Sequence, residues 1–351
     1  MGFQKAIIFL CLVFIIIPTF CHGECTCDPE DDEGRNRKEA LKYKLAAIFS
    51  IFFASTIGVC IPMLGRIFPI LGPERDLFFV VKSFAAGVIL ATGFIHVLPD
   101  AFENLTKPCL KEHPWGEFPF TGFVAMLAAI GTLMVDAHAT SHFMKLRKPP
   151  SENKMVGGGG GGEDGVVVPV VHSHGGHTHG GVAPLATGDA ELLRNKVISQ
   201  VLELGIIVHS VIIGIALGAS ETPKTIKPLV VALSFHQFFE GMGLGGCIVQ
   251  AKFKGRVVVI MTLFFSLTTS IGIIIGIGIM NVYKENSPTA LIVQGLFDSA
   301  SAGILIYMAL VDFLAADFMN PRMQSNKKLH LMSDVSLLIG AGAMSLIAKW
   351  A

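Results

Sequence analysis

Leu233-Ser234-Phe235-His236-Gln237-Phe238-Phe239-Glu240-Gly241-Met242-Gly243 is an apolar run broken by three strongly polar side chains. A second run of the same kind precedes it, Leu204-Gly205-Ile206-Ile207-Val208-His209-Ser210-Val211-Ile212-Ile213-Gly214. Each belongs to a segment long enough to cross a bilayer, which takes about 20 helical residues for a hydrocarbon core of roughly 30 Å. On a helix His236 and Glu240 lie one turn apart on one face, with Gln237 on the same side. An ionisable group at bilayer depth costs at least about 2.5–3.5 kcal/mol unless it is paired or solvated. Two neighbouring spans that both carry such groups point to one shared buried site, and imidazole with carboxylate suits a divalent transition metal. The candidate ligands are His209, Ser210, His236, Gln237 and Glu240. At 1.5 Å per residue His209 and Glu240 reach matching depths, roughly 15–18 Å in. Gly214, Gly218, Gly241, Gly243 and Gly245 leave room beside them for close helix approach. The plainer alternative is that His209 and Glu240 only tie two helices together.

The 351-residue chain is 52% hydrophobic and 15% charged, against about 25% charged in soluble domains, so a membrane protein is expected. Its net charge of zero gives no footing for a nucleic-acid partner. Residues 1–23 read as a signal peptide, with Lys5 ahead of an apolar stretch from Ala6 to Phe20 and a Cys21-His22-Gly23 exit. A charged extracellular segment, 24–44, follows. Cys25 and Cys27 fall there and Cys109 falls on the same side, so these three are disulfide candidates, with free thiols the alternative. Cys60 and Cys247 sit in apolar spans and read as packing residues.

Eight apolar segments, near 45–66, 78–102, 119–143, 196–219, 228–250, 256–280, 289–313 and 331–350, predict an all-α integral membrane protein with eight transmembrane helices. Residues 45–143 would carry helices 1–3 and 196–351 helices 4–8. Lys and Arg concentrate in the loops near 66–76, 144–195, 251–256 and 314–330, which places those loops in the cytosol and both termini outside. The long loop 144–195 holds Gly157 to Gly162 unbroken and then His172-Ser173-His174-Gly175-Gly176-His177-Thr178-His179. Such chain is expected to be disordered. Its imidazoles, His172, His174, His177 and His179, are spaced to wrap a metal ion, with an incidental spacer as the alternative. Asn104-Leu105-Thr106 is a glycosylation sequon close to the end of the second span, used or unused.

Further polar groups mark a path for the metal. His96 and Asp100 are one turn apart near the outer mouth, and Pro99 between them frees a backbone carbonyl. Asp136, His138 and His142 lie towards the cytosolic end of the third span. Asp298 is deep in the seventh span and needs a partner, for which Ser266, Thr268, Thr269 and Ser270 of the sixth are the polar candidates.

Taken together, His209 to Gly214, His236 to Gly241, His96 to Ala101 and Gly303 to Leu310 resemble the ZIP (zinc/iron-regulated transporter-like) family, its plant branch in particular. The resemblance implies import of a divalent metal into the cytosol, zinc most often, with Fe2+, Mn2+ and Cd2+ accepted by some members. It implies a three-plus-two-plus-three inverted-repeat fold with helices 4 and 5 central. The metal would be cargo, with no cofactor and no enzymatic activity, at the plasma membrane, and the partners would be the metal ion and the lipid bilayer. A homodimer is compatible with this. Some relatives carry an acid where this chain has Ile213, and another where it has Gln237, so a single-ion site is expected. Three other readings compete. An intramembrane zinc hydrolase would need water activated by the metal, and the H-E-x-x-H signature is absent from every span. A metal-sensing receptor would rely on the His-rich loop. An exporter of the cation-diffusion-facilitator kind would have fewer spans and a folded cytosolic domain.

Overall fold

A backbone surrounded by hydrocarbon must satisfy its own hydrogen bonds, which an apolar segment of this length does by forming a helix. The computed structural model describes residues 36–66, 72, 75–146, 187–279 and 287–349, and every long element among them is a helix. The expected signal peptide, Cys25, Cys27 and the four loop histidines lie outside the described residues. The helices are α1 (Arg37–Met63), α2 (Asp76–Leu105), α3 (Phe120–Leu146), α4 (Thr187–Ala219), α5 (Pro223–Gln250), α6 (Gly255–Ile279), α7 (Pro288–Phe318) and α8 (Lys327–Ala348). Side-chain caps begin three of them: Asn36, Ser287 and Asn326 accept from the backbone N–H of Glu39, Ala290 and Leu329. Helix α1 starts earlier than its apolar run, so residues 37–44 of the charged N-terminal segment are helical.

Seven of the eight helices are long and apolar enough to cross a membrane; α5 is the exception. His236, Gln237 and Glu240 lower its hydropathy, yet from Glu240 to Val249 every side is buried against other helices. A helix shielded by protein need not be apolar all round.

Glycines set the closest helix contacts. A Cβ on Gly241 or Gly245 would press on the α1 backbone at Ser55 or Val59, and one on Gly214 or Gly218 on the α6 backbone at Thr269 or Ile273. Gly87 and Gly340 bring α2 and α8 together in the same way, and Gly303 meets α3 at Ala125. The main pairs are α1 with α5, α2 with both α8 and α7, α4 with α6, and α3 with α7. The glycines that flank the candidate ligands serve α1 (Gly241, Gly245), α6 (Gly214, Gly218) and Phe313 of α7 (Gly243) rather than the contact between α4 and α5. Cys247 is buried as expected, whereas Cys60 is exposed on α1 instead of packed.

Two helices loosen into wide, π-helical turns, α2 over Thr92–Val97 and α7 over Met308–Ala315. In α2 the turn directly precedes Pro99, whose missing N–H and bulky ring oppose a regular helix there. At the Pro223 end of α5, Arg37 pairs with Glu221 at 2.9 Å and Lys227 with Glu39 at 3.2 Å, tying α1 to α5.

Candidate metal site

Helices α4 and α5 bring three donors to one point. His209 on α4 and His236 and Glu240 on α5 each offer a ligand atom, and these atoms lie within 4.8 Å of one another. All three are fully enclosed, with relative exposures of 0%, 1% and 0%. His209 Nε2 and Glu240 Oε1 are 3.8 Å apart, too far for a hydrogen bond, so the simple interhelical tie does not describe them. Tetrahedral ligands at 2.0–2.1 Å from zinc are roughly 3.3 Å apart, and a small closure of these side chains reaches that.

His209 Nε2, His236 Nδ1, both carboxylate oxygens of Glu240, Gln237 Nε2 and Ser210 Oγ are buried without a hydrogen-bond partner. Leaving one such group unpaired costs about 1–3 kcal/mol, more when it is charged. A cation would satisfy the lone pairs of His209, Glu240 and Ser210, whereas the amide NH2 of Gln237 is a donor and needs an acceptor. Imidazole nitrogen and carboxylate oxygen, with no thiolate in the cluster, suit zinc and the other divalent first-row ions.

Ser301 of α7 fixes one ligand: its Oγ is hydrogen-bonded to His209 Nδ1. With the proton on Nδ1, the Nε2 lone pair faces Glu240 and would be free to bind a metal ion. Nothing in the local sequence marks Ser301, which is 92 positions from the residue it orients. Replacing Ser301 with alanine is expected to weaken zinc uptake about 10–100-fold. Threonine, which keeps the hydroxyl, should retain most of it; the concentration dependence of uptake in the two variants checks both.

The residues expected along a path divide by position. The rings of His96 and His236 are 6.4 Å apart and those of His236 and His209 5.9 Å, so three imidazoles step from the Leu105 half of α2 to the α4–α5 donors. His96 Nδ1 is 3.7 Å from Asp100, whose side chain is 55% exposed. Asp298 is buried, but its partner is not on α6: it accepts from Gln294, one turn away, and lies within electrostatic reach of Asp100. The hydroxyls of α6 instead include Ser270, which donates to the Ile48 carbonyl, and Ser266 and Thr269, which are buried and unpartnered. Asp136 is remote from the three donors and accepts from Tyr307 at 3.3 Å. His138 is exposed and bonds to the Met134 carbonyl. Asn104 lies within the last turn of α2. Cys109 is disulfide-bonded, while Cys60 and Cys247 are free.

Apolar helices enclosing two imidazoles and a carboxylate define a multi-pass membrane protein with a candidate metal site among its helices. The chain matches the ZIP Zinc transporter family over residues 41–348 and belongs to that family. It is 55% identical over 333 residues to Zinc transporter 5 of Oryza sativa subsp. japonica, covering 94% of this chain and 92% of that protein. It is 56% identical over 332 residues to Zinc transporter 3 of Arabidopsis thaliana, covering 94% and 91%. It is 53% identical over 329 residues to Fe(2+) transport protein 1 of Oryza sativa subsp. japonica, covering 89% and 85%.

Proposed function

We propose that this chain imports divalent transition metal into the cytosol, zinc first and Fe2+, Mn2+ and Cd2+ as competitors, through the site on α4 and α5. The observation that carries this is the trio His209, His236 and Glu240, buried with unpartnered donor atoms. Three protein ligands leave a position open for water or exchange, which suits passage rather than permanent retention. The metal is cargo and the protein is not an enzyme. A hydrolase would need a proton-moving group beside the ion, and Glu240 is itself one of the three donors of the only such cluster among the described residues.

The route runs from Asp100 and His96, with Asp298 beside them, to His236, His209 and Glu240, assisted by Gln237 and Ser210, and leaves near Asp136 and His138. The loop histidines, His172, His174, His177 and His179, would buffer or sense the ion after release. Helix α5 is read as the eighth span, which leaves both termini outside, in the plasma membrane. Cys109 would bond to Cys25 or Cys27 on that outer face, where Asn104 is the glycosylation candidate; assembly as a homodimer belongs to the same reading.

Helix pairing supports the three-plus-two-plus-three arrangement. Exchanging α1–α3 with α6–α8, and α4 with α5, turns the α1–α5 pair into α6–α4 and the α2–α8 pair into α7–α3. Residues 83–102 and 299–318 repeat the relation in sequence: Ser83, Ala86, Gly87, Leu98 and Phe102 align with Ser299, Ala302, Gly303, Leu314 and Phe318. The wide turns of α2 and α7 fall at the same place in both copies. Inverted repeats about a midplane site are the geometry of alternating access.

Radiotracer zinc uptake in cells lacking their own uptake system, competed by Fe2+, Mn2+ and Cd2+, tests the reading. Saturable uptake with a reproducible order of competition is expected. No uptake by protein shown to reach the surface would return the sensor reading.

A further inference from the structure

At the Asp76 end of α2 two cavities adjoin, one apolar and one charged, and Leu77, 42% exposed, lines both. The apolar cavity, of about 390 Å³, lies between α1, α2, α5 and α8, with Ile61, Val81, Phe239 and Met242 among its walls. Two polar residues also line it, but their polar atoms are engaged elsewhere. Ser336 Oγ donates to the Val80 carbonyl at 2.8 Å, and Lys82 Nζ donates to Asp317 at 2.9 Å. A buried water needs about two to four polar partners, so a space walled in this way suits hydrocarbon rather than water.

The charged cavity, of about 470 Å³, is formed by Arg75, Asp76, Leu77 and Arg322. Arg322, on the short helix Pro321–Ser325, pairs with Asp76 at 2.7 Å and lies 6.0 Å from the centre of the Phe79 ring. Arg75 is exposed. Two guanidiniums against one carboxylate leave a net positive charge, and the guanidinium fork matches phosphate geometry. The recess sits where apolar helices end, since α2 begins at Asp76 and α8 at Lys327. A ligand that fits both cavities has a phosphate at the membrane surface and a hydrocarbon chain beneath it.

We propose that this end of the bundle binds an anionic phospholipid, its phosphate at Arg75 and Arg322 and one acyl chain in the apolar cavity. Phe239 and Met242 flank Glu240 in sequence, so the chain would brace α5 beside the metal ligands. An end rich in Lys and Arg belongs to the cytosolic leaflet, where anionic lipids concentrate. The leaflet, though not the site, rests on the orientation proposed above.

Native mass spectrometry of the purified full-length protein tests the site, with palmitoyl-oleoyl phosphatidylserine titrated beside phosphatidylcholine of the same chains. Wild type should hold one phosphatidylserine about fivefold more tightly than phosphatidylcholine, the weight of one cationic side chain near an anionic headgroup. Arg75→Gln should bring the two lipids close to equality. Val81→Phe, which fills the cavity, should remove the tightly held lipid of either kind. Ile260→Phe, at a side chain 66% exposed on α6, should leave it bound. Inorganic phosphate, which lacks the chain, should not compete. Should Val81→Phe fail to fold, phosphatidylserine with a diazirine in its acyl chain maps the site on the wild type, and labels should fall within 77–84 and 239–242. Equal binding of the two lipids, a preference that Arg75→Gln leaves intact, retention in folded Val81→Phe, or labels spread over the outer faces of α3 and α6 would each overturn the proposal. The assay contains no metal, so its outcome is separate from that of the uptake experiment.

Discussion

Glu240→Ala is expected to abolish zinc uptake at unchanged surface abundance. Glu240 is wholly buried and is the one carboxylate in the three-donor cluster. Removing a group that merely orients a metal ligand costs about 10–100-fold in affinity or activity, so losing a ligand together with its charge should exceed the upper end of that range. Without the carboxylate, two neutral imidazoles would face a dication in a low-dielectric interior with no anion to offset its desolvation. Glu240→Gln keeps the volume and one acceptor oxygen but replaces the other with an NH2 donor and removes the charge. It should be nearly as damaging, which separates charge from packing. His209→Ala should behave like Glu240→Ala. Uptake measured at matched surface levels checks all three, and survival of transport in Glu240→Ala would move the site elsewhere.

The second large effect belongs to folding. Gly276→Leu is expected to prevent accumulation of folded protein, whereas Gly278→Leu, two residues on, should be tolerated. A Cβ at Gly276 would stand 2.7 Å from the Gly218 Cα and 2.8 Å from the Ala219 nitrogen, backbone atoms that cannot move aside alone, while nothing lies within 4 Å of one at Gly278. Overpacking commonly costs about 1–3 kcal/mol and more when backbone must shift. The change would also drive apart the α4–α6 pair on which His209 is held. Thermal unfolding and monodispersity in detergent compare the two variants directly, and equal stability would show that the close α4–α6 approach is not needed.

The centre of the site was legible because its signal is local. A His and a Glu one turn apart in an apolar run, beside a neighbouring run with its own His, can be read without knowing where any other helix lies. What depended on partners distant in sequence could not be read. Lys82 is 235 positions from Asp317, and a lone Lys early in a span reads as a helix end near the interface. Asp298 misled in the opposite way: its depth suggested a partner on another helix, and Gln294 one turn away was overlooked. The glycines announced close contact correctly, but small residues do not name the helix they meet, and α1, α6 and, for Gly243, Phe313 of α7 are their partners. For α5, polarity conferred by the ligands themselves removed the hydropathy signal that identifies the other long helices. Its apolar stretches either side of His236 and Glu240 still showed a span-length segment.

Zinc X-ray absorption on the purified, zinc-loaded protein tests the central site most directly. His172, His174, His177 and His179 should first be replaced by serine so that the loop contributes no imidazole. The spectrum should then show nitrogen and oxygen neighbours at about 2.0–2.1 Å with the scattering of two imidazole rings. That pattern should decline in His236→Ala. A shell dominated by sulfur near 2.3 Å, or a spectrum unchanged when His209 and His236 are both replaced, would contradict the assignment.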